Sequence, residues 1–597
     1  MKNSLILSVI ALATALSIPG CSPSTGFHAV VPVLSITTQP ANVSVALGST
    51  ATFTVVPGGP APFSYQWSRD GAPISGATSS SFTTAPTTAA DNGAVFVVTV
   101  TDAQSSVTSL PATLTVGGTS ATSLVKGQYA FSYSGENAAG PISILGSFTT
   151  DGNGNITAGI EDITSVKTGS ATVATEAAIT MTGTYTVGND GRGTTKWITS
   201  ADRPQNFAFV IEGGNRGQLT WSDATAGGSG SFDLQDPAVL AAGAPGGGFA
   251  FALNGVDPAA NMYSRVGVFT AANGLVASGG ESDVNDAFGA GGVNLAQTIS
   301  AGSISAPDHT SGRGTLSLSY AGSAVQYIYY AVSASELNLI SADGTASVSG
   351  TATLQSGGPF SSASLKGNYV YSIQGGKAST IFAEAGQFTA DGMGGLIGVG
   401  DQNIFSIPKT GFTLTGSFAT VAPNGRGTMQ LAFPSFNPLD PEYVFYIASN
   451  NIIYLMETDT TQVSSGQAMA QTGGPYTTAS LAGTYGIQFA GGQLTSEVAA
   501  SGQLVAGGTG TLSGTLDLNQ VAAPASGPPV FSFSTSAIAQ NSADAVTGST
   551  TGRGTFSVTG AFPAQFSFYF VSPTEFVAID TIEVAIGSGQ AQSANTP

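Results

Sequence analysis

From Leu124 onward the chain alternates. Tyr129, Phe131 and Tyr133 fall on one side of an extended segment and Ala130, Ser132 and Ser134 on the other, the period-two pattern of a strand buried on one face. Ile142, Ile144, Gly146 and Phe148 repeat it, and Asp151-Gly152 then supplies a hairpin turn. Ile156, Ala158 and Ile160 follow, then Thr182 to Val187, Thr194 to Ile198, Phe207 to Ile211, Gln218 to Trp221 and Gly230 to Leu234, with glycine-rich turns between. These short strands, with no helix-length segment separating them, predict an antiparallel meander of about eight strands. Closure into a barrel removes the exposed edges that an open sheet would leave. A closed eight-stranded barrel is therefore the expected form, with a two-layer sandwich as the alternative.

The pattern is written four times, with a period of about 120 residues. An opening Gly-x-Tyr/Phe begins at Gly127, Gly247, Gly367 and Gly483, and a second glycine follows at Gly146, Gly267, Gly386 and Gly502. Gly-Arg-Gly-Thr begins at Gly191, Gly312, Gly425 and Gly552, and an acid closes an apolar strand at Asp223, Asp343, Asp459 and Asp580. Units this long can each hold their own core. They are assigned to 124–240, 241–358, 359–474 and 475–592. At the first hairpin the acid changes, Asp151 and Asp391 giving way to Ala272 and Ala506 contexts, while glycine persists, as a backbone requirement for positive φ would dictate.

Residues 34–117 differ. Ile36 to Val55, Tyr65-Gln-Trp67, Asp91-Asn-Gly93, Ala94 to Val100 and Ala112 to Val116 occur in an order that resembles a bacterial immunoglobulin-like domain. That resemblance implies a sandwich with Trp67 as its core plug. Val55 and Val97 stand where the antibody cysteines would be, so Trp67 is expected to pack on aliphatic side chains, and Val95 replaces the corner tyrosine. The opener of each repeat also resembles the Gly-x-Trp entry of lipocalin-type barrels, which would imply a ligand-holding interior. The four repeats behind an immunoglobulin-like domain resemble those of uncharacterised envelope proteins of Acidobacteria, which implies a secreted, multi-domain surface protein.

The start of the chain bears on location. Met1-Lys2, the apolar run Leu5 to Leu16 and Ile18-Pro-Gly-Cys21 resemble a bacterial lipoprotein signal peptide over residues 1–20, with Cys21 the acylated residue and 21–33 a tether. Ser22 after that cysteine implies sorting to the outer membrane, so the membrane is an expected partner through the anchor. Cys21 is also the sole cysteine, so internal disulfides are excluded. The composition, 80 glycines and 8% charged residues against 42% hydrophobic, favours strands and turns over helices or disorder. A net charge of −19 without a basic cluster argues against nucleic acid.

Candidate chemistry is sparse. The repeated Arg192, Arg313, Arg426 and Arg553 are read as structural, each bonding loop carbonyls or the closing acid of its own unit, with a sugar or carboxylate ligand role as the alternative. Asp151, Asn153, Asn155 and Asp162 imitate the oxygens of a calcium loop, but Ile156 replaces the needed glycine, so a plain turn is expected. His28 and His309 offer neither zinc spacing nor a catalytic pair. Trp197 and Trp221 are the candidate exposed sugar platforms. No cofactor, metal or catalytic residue is assigned. The expected function is a non-catalytic surface lipoprotein that binds polysaccharide, matrix or another surface protein. Small apolar ligands inside the barrels are one alternative, and an envelope hydrolase with a hidden carboxylate pair is the other.

Overall fold

The computed structural model describes residues 34–592 apart from 47–49, 88–90, 92, 118–120, 168, 171, 202, 214, 378–379, 405–406, 433–440, 450, 494–495, 523–529, 545–551, 559–563 and 582–583. The signal segment, Cys21 and His28 lie outside the described residues. The chain divides into two compact units, the first ending at Gly117.

The first unit is the immunoglobulin-like sandwich. Its larger sheet orders Val43–Ala46, Ala112–Gly117, Val95–Thr101, Ser64–Arg69 and Ala72–Pro73, and Thr52–Thr54 pairs with Ser81–Thr83 opposite. Trp67 is fully buried, and its indole N–H donates to the Ser79 carbonyl at 2.9 Å, the partner a buried tryptophan needs. Two details correct the sequence reading. Val95 to Thr101 buries Phe96, Val98 and Val100 while Val97 faces outward, so Val98 sits across from Trp67. The rings of Phe53 and Phe82, centred 6.2 and 6.3 Å away, share the tryptophan's surroundings, which are therefore not purely aliphatic.

The second unit contains the four repeats, and three are closed eight-stranded barrels in simple meander order. The first runs through Lys126–Asn137, Gly140–Asp151, Asn155–Val166, Val173–Val187, Arg192–Thr199, Pro204–Glu212, Arg216–Trp221 and Ala226–Leu234, the last pairing with the first. The third spans Lys366 to Ala470 and the fourth Ala482 to Ala591 in the same order. The second repeat departs from this plan. Its third and fourth strands are each broken, into Leu275–Val276 and Gly280–Asp286, and into Gly292–Ile299 and Ala301–Ile304. The result is a ten-stranded sheet with an additional pairing between Gly247–Val256 and Met262–Ala272, and not a plain eight-stranded barrel.

The interior of repeat one is filled. In repeat one Tyr129, Phe131, Tyr133, Phe148, Trp197, Phe207 and Trp221 pack in one buried cluster, with Phe131 and Trp197 centred 4.7 Å apart. Trp197 and Trp221, expected as exposed platforms, are instead 0% and 5% exposed. The side chains occupy the space that a lipocalin-type ligand would need. The Gly-Arg-Gly-Thr motif follows from this packing. Its first glycine takes positive φ in all four copies, between 67° and 89°, a turn other residues resist. Its second lies under an aromatic ring: a Cβ at Gly193, Gly314 or Gly427 would come within 2.3 Å of Phe209, Tyr329 or Phe445.

Candidate functional site: the seams of a closed ring

Between the two glycines of each motif, the arginine points out of its barrel. The sequence reading paired it within its own repeat; the structure pairs it with an aspartate of the neighbouring repeat. Arg313 of repeat two grips Asp162 of repeat one through Nε and Nη2, both at 2.8 Å. Arg426 of repeat three grips Asp283 of repeat two at 2.9 and 2.7 Å, and Arg553 of repeat four grips Asp401 of repeat three at 2.8 and 2.6 Å. The series does not stop at the end of the chain. Arg192 of repeat one reaches Asp517 of repeat four, Nη1 lying 3.1 and 3.0 Å from its two oxygens. The four repeats therefore contact one another in the cyclic order one, two, three, four, one.

Three further sets of residues follow the same order. A glutamine just after each last strand donates to the end of the sixth strand in the next repeat: Gln235 to the Ala331 carbonyl at 2.6 Å, Gln355 to Ile447 at 2.7 Å, Gln471 to Phe570 at 2.7 Å and Gln592 to Ile211 at 2.7 Å. Two positions beyond each aspartate, Asn285 donates to the Glu457 carbonyl, Asn403 to Asp580 and Asn519 to Trp221. Thr164 takes that place in repeat one and meets Ser347 at 3.0 Å. In three seams a buried tyrosine across from the arginine also donates to its aspartate: Tyr330 to Asp162 at 2.6 Å, Tyr446 to Asp283 at 2.5 Å, and Tyr569 to Asp401. Burial, and then the aspartate's negative charge, push these phenols well above the usual tyrosine range. They act as donors.

The closing acids have other work. Asp223 accepts from the Trp221 indole at 2.7 Å and the Thr225 backbone at 2.9 Å, Asp343 from the backbones of Thr345 and Gln326, and Asp459 from that of Thr461. They fix the turn between the seventh and eighth strands, a role side-chain oxygens favour. Asp580 is buried, and its carbonyl takes the Asn403 bond. Asp151 is likewise an Asx turn, accepting from Asn153 and Asn155, while Asp162 belongs to a seam and not to a calcium loop. Among the described residues, no group of three or more His, Cys, Asp or Glu is placed to hold a metal.

Where the turns between sixth and seventh strands approach one another, charge collects. Arg216 of repeat one lies 3.8 Å from Glu212 and 3.6 Å from Asp233. Its charge also favours ionisation of Glu336 in repeat two and Glu575 in repeat four, where burial acts more strongly and raises both carboxyls. Burial likewise pushes Glu212 up to about 7, against the pull of Arg216. The side chain of Arg216 remains half exposed there.

The seam residues were partly visible in the sequence. The glutamines recur in all four repeats in phase with the arginines, and the Asp-x-Asn pairs in repeats two to four, and that common phase was the available signal.

No family model and no curated protein matches the chain. Among solved structures, Sidekick-1 immunoglobulin domains 1–5 is similar at 8% identity over 73% of this chain and 98% of that one, with a TM-score of 0.14. The N-terminal eight immunoglobulin domains of Down Syndrome Cell Adhesion Molecule are similar at 9% identity over 95% and 96%, with a TM-score of 0.17. A quinonprotein alcohol dehydrogenase-like protein of Bacteroides thetaiotaomicron is similar at 10% identity over 53% and 95%, with a TM-score of 0.11. Scores this low carry no likeness of arrangement. Among the described residues no helix is long and apolar enough to cross a membrane.

Proposed function

We propose that the chain is a non-catalytic cell-surface lipoprotein, acylated at Cys21 and held at the outer membrane, whose four repeats act as one ring-shaped binding head for polysaccharide, matrix or another surface protein. The observation that supports this reading is the use of the repeated polar motif. All four arginines are spent on holding repeat to repeat, so the repeated charge of the motif serves assembly, and recognition is left to the connections that differ. Those lie at the barrel ends away from the Gly-Arg-Gly-Thr turns. The connection between fifth and sixth strands, for example, runs from Thr199 to Pro204 in repeat one and only from Tyr320 to Ser323 in repeat two. A ring holds four such loop sets in fixed relation, so weak contacts reinforce one another through effective concentration.

A glycan and matrix-protein array probed with the full chain tests the reading. Binding that survives substitutions in the loops of all four repeats, or an absence of binding to every probe, would overturn it. Metabolic labelling with a fatty acid tests the anchor, with loss of label expected for Cys21→Ser.

A further inference from the structure

One arginine of the second repeat has no part in the seams. Arg265 lies near the start of the strand Met262–Ala272, opposite Leu253, at the end of the barrel away from the Gly-Arg-Gly-Thr turn. It is 9% exposed. Its Nη1 donates to the Tyr327 hydroxyl at 3.1 Å, and its guanidinium carbon sits 5.9 Å from the Tyr263 ring centre and 5.4 Å from that of Tyr320. Its Nε has no hydrogen-bond partner, nor has the Tyr320 hydroxyl, among the described residues. No carboxylate of the described residues forms an ion pair with it, whereas each motif arginine has one.

A guanidinium removed from water is costly unless a counter-charge or a full set of acceptors meets it. Aromatic faces offset part of that cost, but they leave Nε without an acceptor. The register places Ile144, Glu384 and Ala500 at the same position in the other repeats, so barrel construction does not require an arginine there. The second repeat is also the one whose strands are broken. Both departures from the common plan fall in one unit.

We propose that this end of repeat two is a binding mouth for a carboxylate carried on a sugar ring, the uronic acid of an acidic saccharide. The guanidinium donates to the carboxylate, the Tyr320 hydroxyl adds a bond, and the rings of Tyr263 and Tyr320 flank the sugar. The saccharide part rests on the binding-head reading; the carboxylate part does not.

Isothermal titration of the full chain with glucuronate, glucose, acetate and inorganic phosphate tests the site. Glucuronate is expected to bind, with glucose and phosphate at least tenfold weaker. Arg265→Gln should weaken glucuronate at least tenfold and Tyr320→Phe two- to fivefold, the latter serving as a variant that preserves the packing around the ring. Acetate binding as well as glucuronate with the same Arg265 dependence would keep the carboxylate mouth and overturn the sugar. Saccharide binding unchanged in Arg265→Gln would overturn this site and leave the binding head standing. Phosphate binding tighter than glucuronate, or no carboxylate binding at all, would overturn the proposal.

Discussion

The three seams between sequence neighbours and the one seam between first and last repeat use the same strands but different chemistry. In the seam between repeats two and three, Ala250, Val266 and Val268 bury against Val444, Tyr446, Ala448, Tyr454 and Met456. Between three and four, Val370, Ala383 and Ala385 meet Tyr569, Val571, Val577 and Ile579. The register equivalents in the closing seam are Gly486, Ala499, Ser501 and Gln503 against Ala208, Val210, Glu212, Gln218 and Thr220, a more polar set. There Thr220 donates to Ser501 at 2.8 Å, and Gln488 donates to the carbonyls of Leu219 and Gly230. The ion pair changes too. Where the others form two-nitrogen forks with an aspartate no more than 2% exposed, Arg192 offers one nitrogen to an Asp517 that is 8% exposed, turns its Nε to Asp190, and has Val210 in place of the tyrosine. Apolar surface drives association without choosing a partner, while hydrogen-bonded surface chooses. The two free faces of an unclosed chain would thus suit each other and mismatch the apolar faces of the other seams, which opposes pairing of a free face with the wrong repeat.

The sharpest way to break the comparison is one charge at one register position in two seams. Ala385→Asp buries a carboxylate among aliphatic side chains and is expected to cost about 4 kcal/mol or more, whereas Ser501→Asp meets hydroxyl and amide donors and should cost about half that; denaturant midpoints of the two variants report the difference. Equal losses would mean that the closing seam is no more polar in effect. Removing an anion comes next. Asp401→Ala leaves Arg553 uncompensated and should cost about 3–5 kcal/mol, against about 1–2 kcal/mol for Asp517→Ala, where Asp190 still holds the guanidinium.

Rising pH should weaken the closing seam through Glu212. Burial raises Glu212 from 4.5 to about 7, so the folded chain holds that proton more tightly than the unfolded one. Its stabilising contribution is then complete below about 4.5 and is lost as the pH rises through about 7. Thermal midpoints measured between those values should fall in the parent and fall less steeply in Glu212→Gln. The smallest effect is a gain: Val210→Tyr supplies the phenol that the other seams possess, and should add about 1 kcal/mol if its hydroxyl reaches Asp517. A loss on the same scale would show that the closing seam has no room for the ring.

Much of this architecture was legible. Alternation at Tyr129, Phe131 and Tyr133 gave the inward face of the first strand, and all three are buried. The outward face was misjudged. Ala130 and Leu145 are also fully buried, packed on Ile328, Tyr330 and Ile340 of the next repeat, and continuous apolar runs such as Tyr443 to Ile447 are the mark of strands covered on both sides. That signal says a cover exists without saying what provides it. The aspartates of the seams recur in phase, but their pairing was hidden for a similar reason: a partner about 140 to 330 residues away leaves no local spacing to read. The broken strands of repeat two were hidden as well, since Gly279 and Gly280 look like many other glycines in the chain.

The glutamines that follow the last strands restrict the protein's history. Each hands the chain to its successor through the same amide, and the final one hands it back to the beginning. Adding a fifth copy or losing one would leave a mismatched junction where the path no longer returns, so growth or shrinkage by single-module duplication is penalised at once. The count of modules is a geometric property of the handover, and altering it requires resetting the angle at every junction together.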